Sequence, residues 1–364
     1  LGKRESMSRF LIIDVGAGTM DVLCYDTRID EHFKAVVKSP VRSLPETAEN
    51  LPGNLLIIGT EMGGGALSGV LKQRAKEAEV VMSASSATTI HHNPDRVRSL
   101  GIKVVDDREA AELRDRQAYQ TLTTGDLEVD RLEKIVKGLG LPFSFDVVGL
   151  CAQDHGRAPD GVSHLDYRHE IFKTRLDENP FVHGLLYRSD EVPASLSRLK
   201  AMCETAKRLP TDEIYIMDSG MAAILGASMD WRVRGKDKAM VLDVATSHTV
   251  GAALDRDEIA GFFEYHTRDI TLERLEDLLK GLAEGSLNHG GILREGGHGA
   301  YIRKTLGLEA MECIVATGPK RGLVERSRIS ITFGSPLGDN MMTGTVGVLE
   351  AIRRRKKLRT ISYL

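Results

Sequence analysis

The chain has 364 residues, with 49 Lys and Arg against 52 Asp and Glu for a formal net charge of −3. That length can bury a substantial core and suits two domains or one elaborate one, while the near-cancelled charge argues against a general nucleic-acid binder, which needs a basic excess. No apolar run approaches the ~20 residues that span a bilayer, and the charged first ten residues lack the apolar stretch of a secretory leader. A cytoplasmic protein with neither a membrane nor a nucleic-acid partner is expected, with Met7 as a candidate natural start.

Apolar runs alternate with helical patterns, the signature of an α/β architecture. Phe10–Asp14 and Met20–Tyr25 are β-rich runs joined by a tight Gly16-Ala17-Gly18-Thr19 turn. Leu55–Gly59 reads as a strand, followed by glycines and a helix over 66–77, with further strands at 80–83 and 102–105. Helices are expected over 108–117 and 130–137, and Asp146–Ala152 is a buried strand. Gln153–Asp190, rich in His, Asp, Gly and Pro with little periodicity, reads as a long functional loop or small insertion rather than core.

A helix over 194–207 leads to a strand at Glu213–Met217 and a helix at Ser219–Ala227. Lys238–Asp243 and Thr249–Leu254 read as a second hairpin, and Leu272, Leu275, Leu278, Leu279 and Leu282 mark one helical face. Cys313–Ala316 is a strand, and Asp339 or Asn340 can cap a final helix through about Arg353. The basic run Arg353–Arg359 reads as a solvated helix end, where cations oppose the negative pole of the helix dipole.

Two segments repeat in outline. Leu11-Ile-Ile-Asp14-Val15-Gly-Ala-Gly-Thr19 and Met240-Val-Leu-Asp243-Val244-Ala-Thr-Ser-His248 each run an apolar strand into Asp-Val and a turn of small or hydroxyl residues. Glycines permit close backbone approach, so successive amides can cradle phosphate oxygens. An Asp at such a strand end can hold Mg²⁺, which keeps several of its waters. Gly63, Gly64 and Gly65 form a second anion-binding candidate between a strand and a helix N-terminus. They serve as candidate substrate-binding residues, although the Lys-Ser/Thr of a P-loop is missing.

Four cysteines, Cys24, Cys151, Cys203 and Cys313, lie far apart with neither a CxxC pair nor a CxxxCxxC triplet. They read as small buried hydrophobes, and no iron–sulfur cluster is expected. His155, His248, His266 and His298 sit in Gly-, Asp- or Thr-flanked turns without HxH or HExxH spacing. Structural hydrogen bonding accounts for such histidines, and a convergent transition-metal site through His248 and His298 is left open.

Asp14–Asp21 resembles the first phosphate motif of the superfamily of actin, the seventy-kilodalton heat-shock chaperones and sugar kinases. Asp243–His248 resembles its second phosphate motif and Met217–Gly226 its connecting helix. Ile314–Gly318 resembles the adenosine motif, and Gly338–Ala351 the terminal helix that returns to the first lobe. Ala245 stands where a glycine is usual, and Pro319-Lys320 departs from the common adenosine loop.

The resemblance implies a two-lobed actin-like ATPase fold, with an RNase H-like hairpin unit in each lobe. Residues 8–209 would form the first lobe with the Gly-rich and His/Asp-loop insertions. Residues 210–338 would form the second lobe, and 339–358 the returning helix. A closer resemblance, carried by Gly59–Gly65, Gln153–Gly156, Ser247–Thr249, Glu264–Thr267 and Gly296–Gly299, is to a prokaryotic family labelled pyruvate formate-lyase activating enzyme.

On this frame ATP and Mg²⁺ are the expected cofactors. Asp14 and Asp243 would organise the metal, while Gly16, Gly18, Thr19, Thr246 and Ser247 hold phosphates and Gly318 meets the nucleoside. Gln153, Asp154 and His155, at a strand end, are the candidate catalytic group: Gln to orient an acceptor, Asp to take its proton, His to carry it away. The expected activity is phosphoryl transfer to a small polar substrate, or ATP hydrolysis, in the interlobe cleft. The alternatives are a nucleotide-dependent switch acting on a protein client, and a metal-dependent enzyme without ATP. A homo-oligomer is left open.

Overall fold

The computed structural model describes residues 8–159 and 161–363, so Met7 lies outside it. β1 (Arg9–Val15), β2 (Thr19–Asp26) and β3 (Glu31–Lys38) form an antiparallel meander. β1 is buried along nearly its whole length, with the continuous apolar run of a strand covered on both faces. Four parallel strands then make a separate sheet in the order β6-β5-β4-β7: β4 (Asn54–Gly59), β5 (Val80–Ser83), β6 (Lys103–Val105) and β7 (Tyr119–Thr124). This insertion carries the Gly-rich turn and its following helix, Gly65–Arg74.

The chain returns to the first sheet with β8 (Phe145–Ala152), parallel to β1, then the short β9 (Tyr187–Arg188) and β10 (Thr211–Asp218), giving the order β3-β2-β1-β8-β10-β9. The second lobe repeats the plan. β11 (Lys238–Val244), β12 (His248–Asp255) and β13 (Glu258–His266) form the meander, and β15 (Cys313–Thr317) runs parallel to β11. With β14 (Gly299–Ile302) and β16 (Thr332–Phe333) at the edges, the order is β14-β13-β12-β11-β15-β16. Each lobe therefore carries an antiparallel 3-2-1 meander followed by two parallel strands. This is the duplicated hairpin unit of the actin-like fold.

Two helices sit between the sheets. The connecting helix Ser219–Ser228 is buried from Met221 to Ala227, and the terminal helix Thr343–Lys356 from Thr343 to Ile352. Neither presents a polar stripe along these stretches, as expected for helices covered on all sides. Together with residues from both sheets they form one continuous core. Cys24, Cys151 and Cys203 are buried in the cores of the first lobe and the interlobe region, and Cys313 is half-buried.

The structure departs from the sequence reading at several places. Strand β10 hydrogen-bonds to β8 in the first sheet, so a division at residue 210 does not separate the sheets; the pairing partner is remote in sequence and leaves no local mark. Within Gln153–Asp190 lies a 15-residue helix, His164–Glu178, whose N-cap Ser163 accepts from the Asp166 amide. Its buried face carries Arg168 beside Phe172 and Leu176, and the charge interrupts the apolar stripe. Neither Asp339 nor Asn340 caps the terminal helix; Met342 occupies that position, and the Asn340 side-chain amide donates instead to the Gly318 carbonyl at 2.9 Å. Among the described residues no helix is long and apolar enough to cross a membrane.

Candidate functional site

The two repeated turns close by the same backbone bond. The Gly16 amide donates to the Thr19 carbonyl at 3.0 Å, and the Ala245 amide to the His248 carbonyl at 3.1 Å. Ala245 thus occupies the equivalent of Gly16 without altering the turn. The turns face each other so closely that a Cβ on Gly18 would lie 3.0 Å from Cγ2 of Thr246. Both line one interlobe cavity of about 780 Å³, which brings together Asp14, Gly16, Gly18, Thr19, Asp243, Thr246, Ser247 and Gly318. Gly318, at φ +88°, passes against the Val244 carbonyl, where a Cβ would lie 2.5 Å from the oxygen.

The acids at the strand ends are arranged in parallel fashion in the two lobes. Asp14 is in register with Asp21 across β1–β2 and with Cys151 on β8. Asp243 is in register with Thr317 on β15, whose hydroxyl donates to it at 2.9 Å. Burial, with repulsion from Asp243 and Asp218, pushes the Asp14 carboxyl up to about 7. Burial and the neighbouring Asp14 push Asp21 up to about 8, and burial pushes Asp243 up to about 6 against the Thr317 and Thr343 hydroxyls. Asp21 Oδ1 is buried without a hydrogen-bond partner. Asp14, Asp21 and Asp243 all line the cavity, and hard oxygen donors of this kind, one of them unsatisfied, fit a Mg²⁺ ion that keeps several of its waters.

The Gln153-Asp154-His155 triplet divides. Gln153 and His155 line the cavity, but Asp154 does not face it. Its Oδ1 accepts from the Gly156 amide at 2.7 Å and its Oδ2 from the Leu199 amide at 3.1 Å. Asp154 is therefore bound into the scaffold as a loop and helix tether, which corrects its expected role as a base. His155 is held neutral, its imidazole pushed down to about 3 by burial and by the Arg168 charge, and its buried Nδ1 has no partner. Gln153 donates to Glu264 of the second lobe.

Glu264 also accepts from Arg168, which binds Asp218 through Nη2 at 2.9 Å to each oxygen. Asp218 in turn caps the connecting helix, accepting from the Gly220 amide at 2.9 Å. A buried ionic network therefore ties the 164–178 helix, the connecting helix and the second sheet together beside the cavity.

Gly63, Gly64 and Gly65 line the cavity from the inserted unit. A Cβ at Gly64 would lie 1.9 Å from the Thr89 carbonyl, so close packing alone demands that glycine. Gly65 meets no atom within 4 Å and leaves open space at the helix start. Arg198 reaches the same region; it binds Asp126 with two hydrogen bonds of 2.8 Å and donates to the Gln153 carbonyl at 2.7 Å.

His248 lines the cavity, while His298 lies behind it, buried, with Nε2 3.0 Å from Nε2 of His266. His248, His266 and His298 each place a ring nitrogen within 4.8 Å of the others.

The profile of a family described as "Putative pyruvate format-lyase activating enzyme (DUF1786)" matches residues 62–323. The chain belongs to this family. Of the solved structures, an inorganic polyphosphate/ATP-glucomannokinase from Arthrobacter sp. strain KM is similar at 11% identity and a TM-score of 0.37, covering 95% of this chain and 99% of that one. MreB5 of Spiroplasma citri bound to ADP is similar at 11% identity and 0.37, covering 97% and 98%. A Bacteroides thetaiotaomicron protein with an actin-like ATPase fold and unknown function gives 9% and 0.36, covering 97% and 98%. None of the curated proteins compared matches the chain.

In this DUF1786 protein the sequence reading did not select four residues at or beside the cavity: Asp21, Arg168, Arg198 and Glu264. Asp21 sits one cross-strand step from Asp14, so the hairpin register would have found it. Glu264 and His266 belong to a motif the family resemblance marks, and His266 pairs with His248 across β12–β13. The two arginines lie on helices whose partners are remote in sequence, and only the folded packing brings Arg198 to the cavity and Arg168 to the carboxylates beside it.

Proposed function

We propose that the interlobe cavity binds a magnesium–nucleoside triphosphate, and that the protein transfers its terminal phosphoryl group to a small polar acceptor or to water. The observation that carries this reading is the pair of Asp-ended turns, closed by the same backbone hydrogen bond, facing one another across one cavity that also contains Gly318. Asp14 and Asp243, with Asp21 behind Asp14, would hold Mg²⁺. The ion would offset phosphate charge in a reaction whose catalysis is mostly positioning and electrostatics.

The remaining work falls to the chain's own groups. The amides of Ala17 and Gly18, with the amides and hydroxyls of Thr246 and Ser247, would face the phosphate oxygens, Gly16 holding the turn that presents them. Gln153 orients the acceptor from the β8 end. His155, lining the cavity as a neutral imidazole of low basicity, positions the acceptor beside Gln153 rather than taking its proton. Gly65, at the open helix start, is where a substrate anion would be received.

Calorimetry with ATP, ADP and GTP, with and without Mg²⁺, tests the reading. Binding that depends on Mg²⁺ and weakens in Asp14→Asn supports it. Absence of heat and of a thermal shift with every nucleotide overturns it and leaves the fold unaffected.

A further inference from the structure

The hairpin β12–β13 sets His248 and His266 opposite each other at its open end, in direct register. The glycine loop before β14 brings a third imidazole onto the same spot. There the His298 amide donates to the Glu264 carbonyl at 2.9 Å, and Gly296 and Gly299 adopt φ of +87° and +126°, values that side chains strain to reach. Ring centroids are 4.7 Å apart for His248–His266, 4.5 Å for His248–His298 and 4.3 Å for His266–His298.

Hydrogen bonding within the trio does not satisfy it. His266 and His298 can share one hydrogen between their Nε2 atoms, but His248 Nε2 is buried with no partner. A carboxylate stands behind the trio, close to His298 Nδ1, which has no hydrogen-bond partner of its own. Glu264 Oε1 stands 3.4 Å from His298 Nδ1, and Arg168 and Gln153 fix the same carboxylate. A carboxylate behind a ligating imidazole sets its tautomer and raises its basicity.

We infer that His248, His266 and His298 form a binding site for one divalent first-row transition ion, of which Zn²⁺ is the type, with a coordination position left open toward the interlobe cavity. Three imidazoles suit Zn²⁺, Fe²⁺, Co²⁺ and Ni²⁺ rather than Mg²⁺, which prefers oxygen. Donors at ~2.0–2.1 Å from a tetrahedral ion stand about 3.3 Å apart, so nitrogens already within 4.8 Å need only small ring rotations. Three protein ligands with a fourth position free is the arrangement of ions that bind a substrate oxygen or water. Because His248 lines the cavity, that position opens where the second turn, Thr246-Ser247, also ends. The site does not depend on nucleotide binding, and Glu264 acts in it as a positioning residue.

The test uses the full chain stripped with EDTA and titrated with Zn²⁺ or Co²⁺ alone, without nucleotide. One equivalent of Zn²⁺ by calorimetry is expected, with the intense visible ligand-field spectrum of four- or five-coordinate Co²⁺. X-ray absorption should show three imidazole nitrogens. His248→Ala and His298→Ala should each weaken Zn²⁺ binding by more than about 100-fold, and Glu264→Gln by about 10- to 100-fold. Asp14→Asn should leave Zn²⁺ affinity unchanged. The more exposed His266→Ala provides a variant whose fold, checked by near-UV circular dichroism, is least at risk. Absence of stoichiometric binding to the wild-type chain overturns the site, as does binding that survives the histidine variants or is lost in Asp14→Asn.

Discussion

Gly226 of the connecting helix and Gly347 of the terminal helix meet where the two helices cross between the lobes. A Cβ at Gly226 would lie 1.8 Å from the Thr343 carbonyl oxygen, and one at Gly347 would lie 1.8 Å from the Ala222 carbonyl oxygen and 2.9 Å from the Gly226 nitrogen. Both clashes are with backbone, so no side chain can move aside to relieve them. Gly226→Ala and Gly347→Ala should each destabilise the fold by at least the ~1–3 kcal/mol of an overpacked core. Chemical denaturation checks this, with Gly69→Ala as the control. Gly69 lies on an exposed helix position with nothing within 4 Å, where alanine should be neutral or gain up to ~1 kcal/mol.

The acids at the turns predict an unusual pH dependence. Asp14, Asp21 and Asp243 have folded-state values of about 7, 8 and 6 against an ordinary 3.8. A carboxyl raised on folding gives stability that is whole below its unfolded value and is lost as pH rises through its folded value. His155, His169 and His248, pushed down to about 3, 4 and 4, act in the opposite sense below the ordinary 6.5 of a histidine, so the metal-free protein should show its falling Tm above about pH 6.5, through pH 8. Added Mg²⁺ should raise Tm more at pH 8 than at pH 5.5, and Asp14→Asn should flatten the slope. A Tm that holds steady over this range, with Mg²⁺ inert, would count against a cation site among these carboxylates.

The turns were legible in the sequence because their chemistry is local. A strand, an Asp, small residues and a returning strand occupy consecutive positions, and one backbone bond closes each turn. The repeat of that pattern gave the lobes. The sheet membership of β10 was not legible, because it is decided by pairing with β8 more than fifty residues earlier. The helix at 164–178 was hidden by Arg168, whose burial makes sense only once Asp218 and Glu264 are in place. The histidines were individually visible in their turns. Their convergence depends on the β12–β13 register and the path of the 296–299 loop, which no spacing motif encodes.

Arg168 should be far more costly to remove than a surface arginine. It is buried between Asp218 and Glu264, and both carboxylates would be left without their cation. Breaking a buried pair from one side costs ~3–5 kcal/mol. Arg168→Met keeps much of the aliphatic volume, so its effect isolates the charge. The expected result is a loss of that order in urea denaturation. A loss below ~1 kcal/mol would show that water or relaxation compensates the two carboxylates, and that the network does not hold the lobes together.

Asp154→Asn distinguishes a tether from a base. Both carboxylate oxygens accept backbone amides, from Gly156 on one side and Leu199 on the other. An asparagine side chain offers one acceptor oxygen, and its NH₂ group must face an amide donor. One buried amide then loses its partner, at ~1–3 kcal/mol. The variant should therefore lose stability by that amount in denaturation. Because Asp154 does not line the cavity, nucleotide affinity and turnover per folded molecule should stay within a few-fold of wild type. His155→Gln reverses the pattern: a polar group of similar reach replaces the cavity-facing imidazole, so stability should change little while turnover falls by about tenfold or more as the acceptor loses its positioning. Full turnover in His155→Gln with loss in Asp154→Asn would assign the proton to Asp154 and require the 153–156 loop to rearrange when substrate binds.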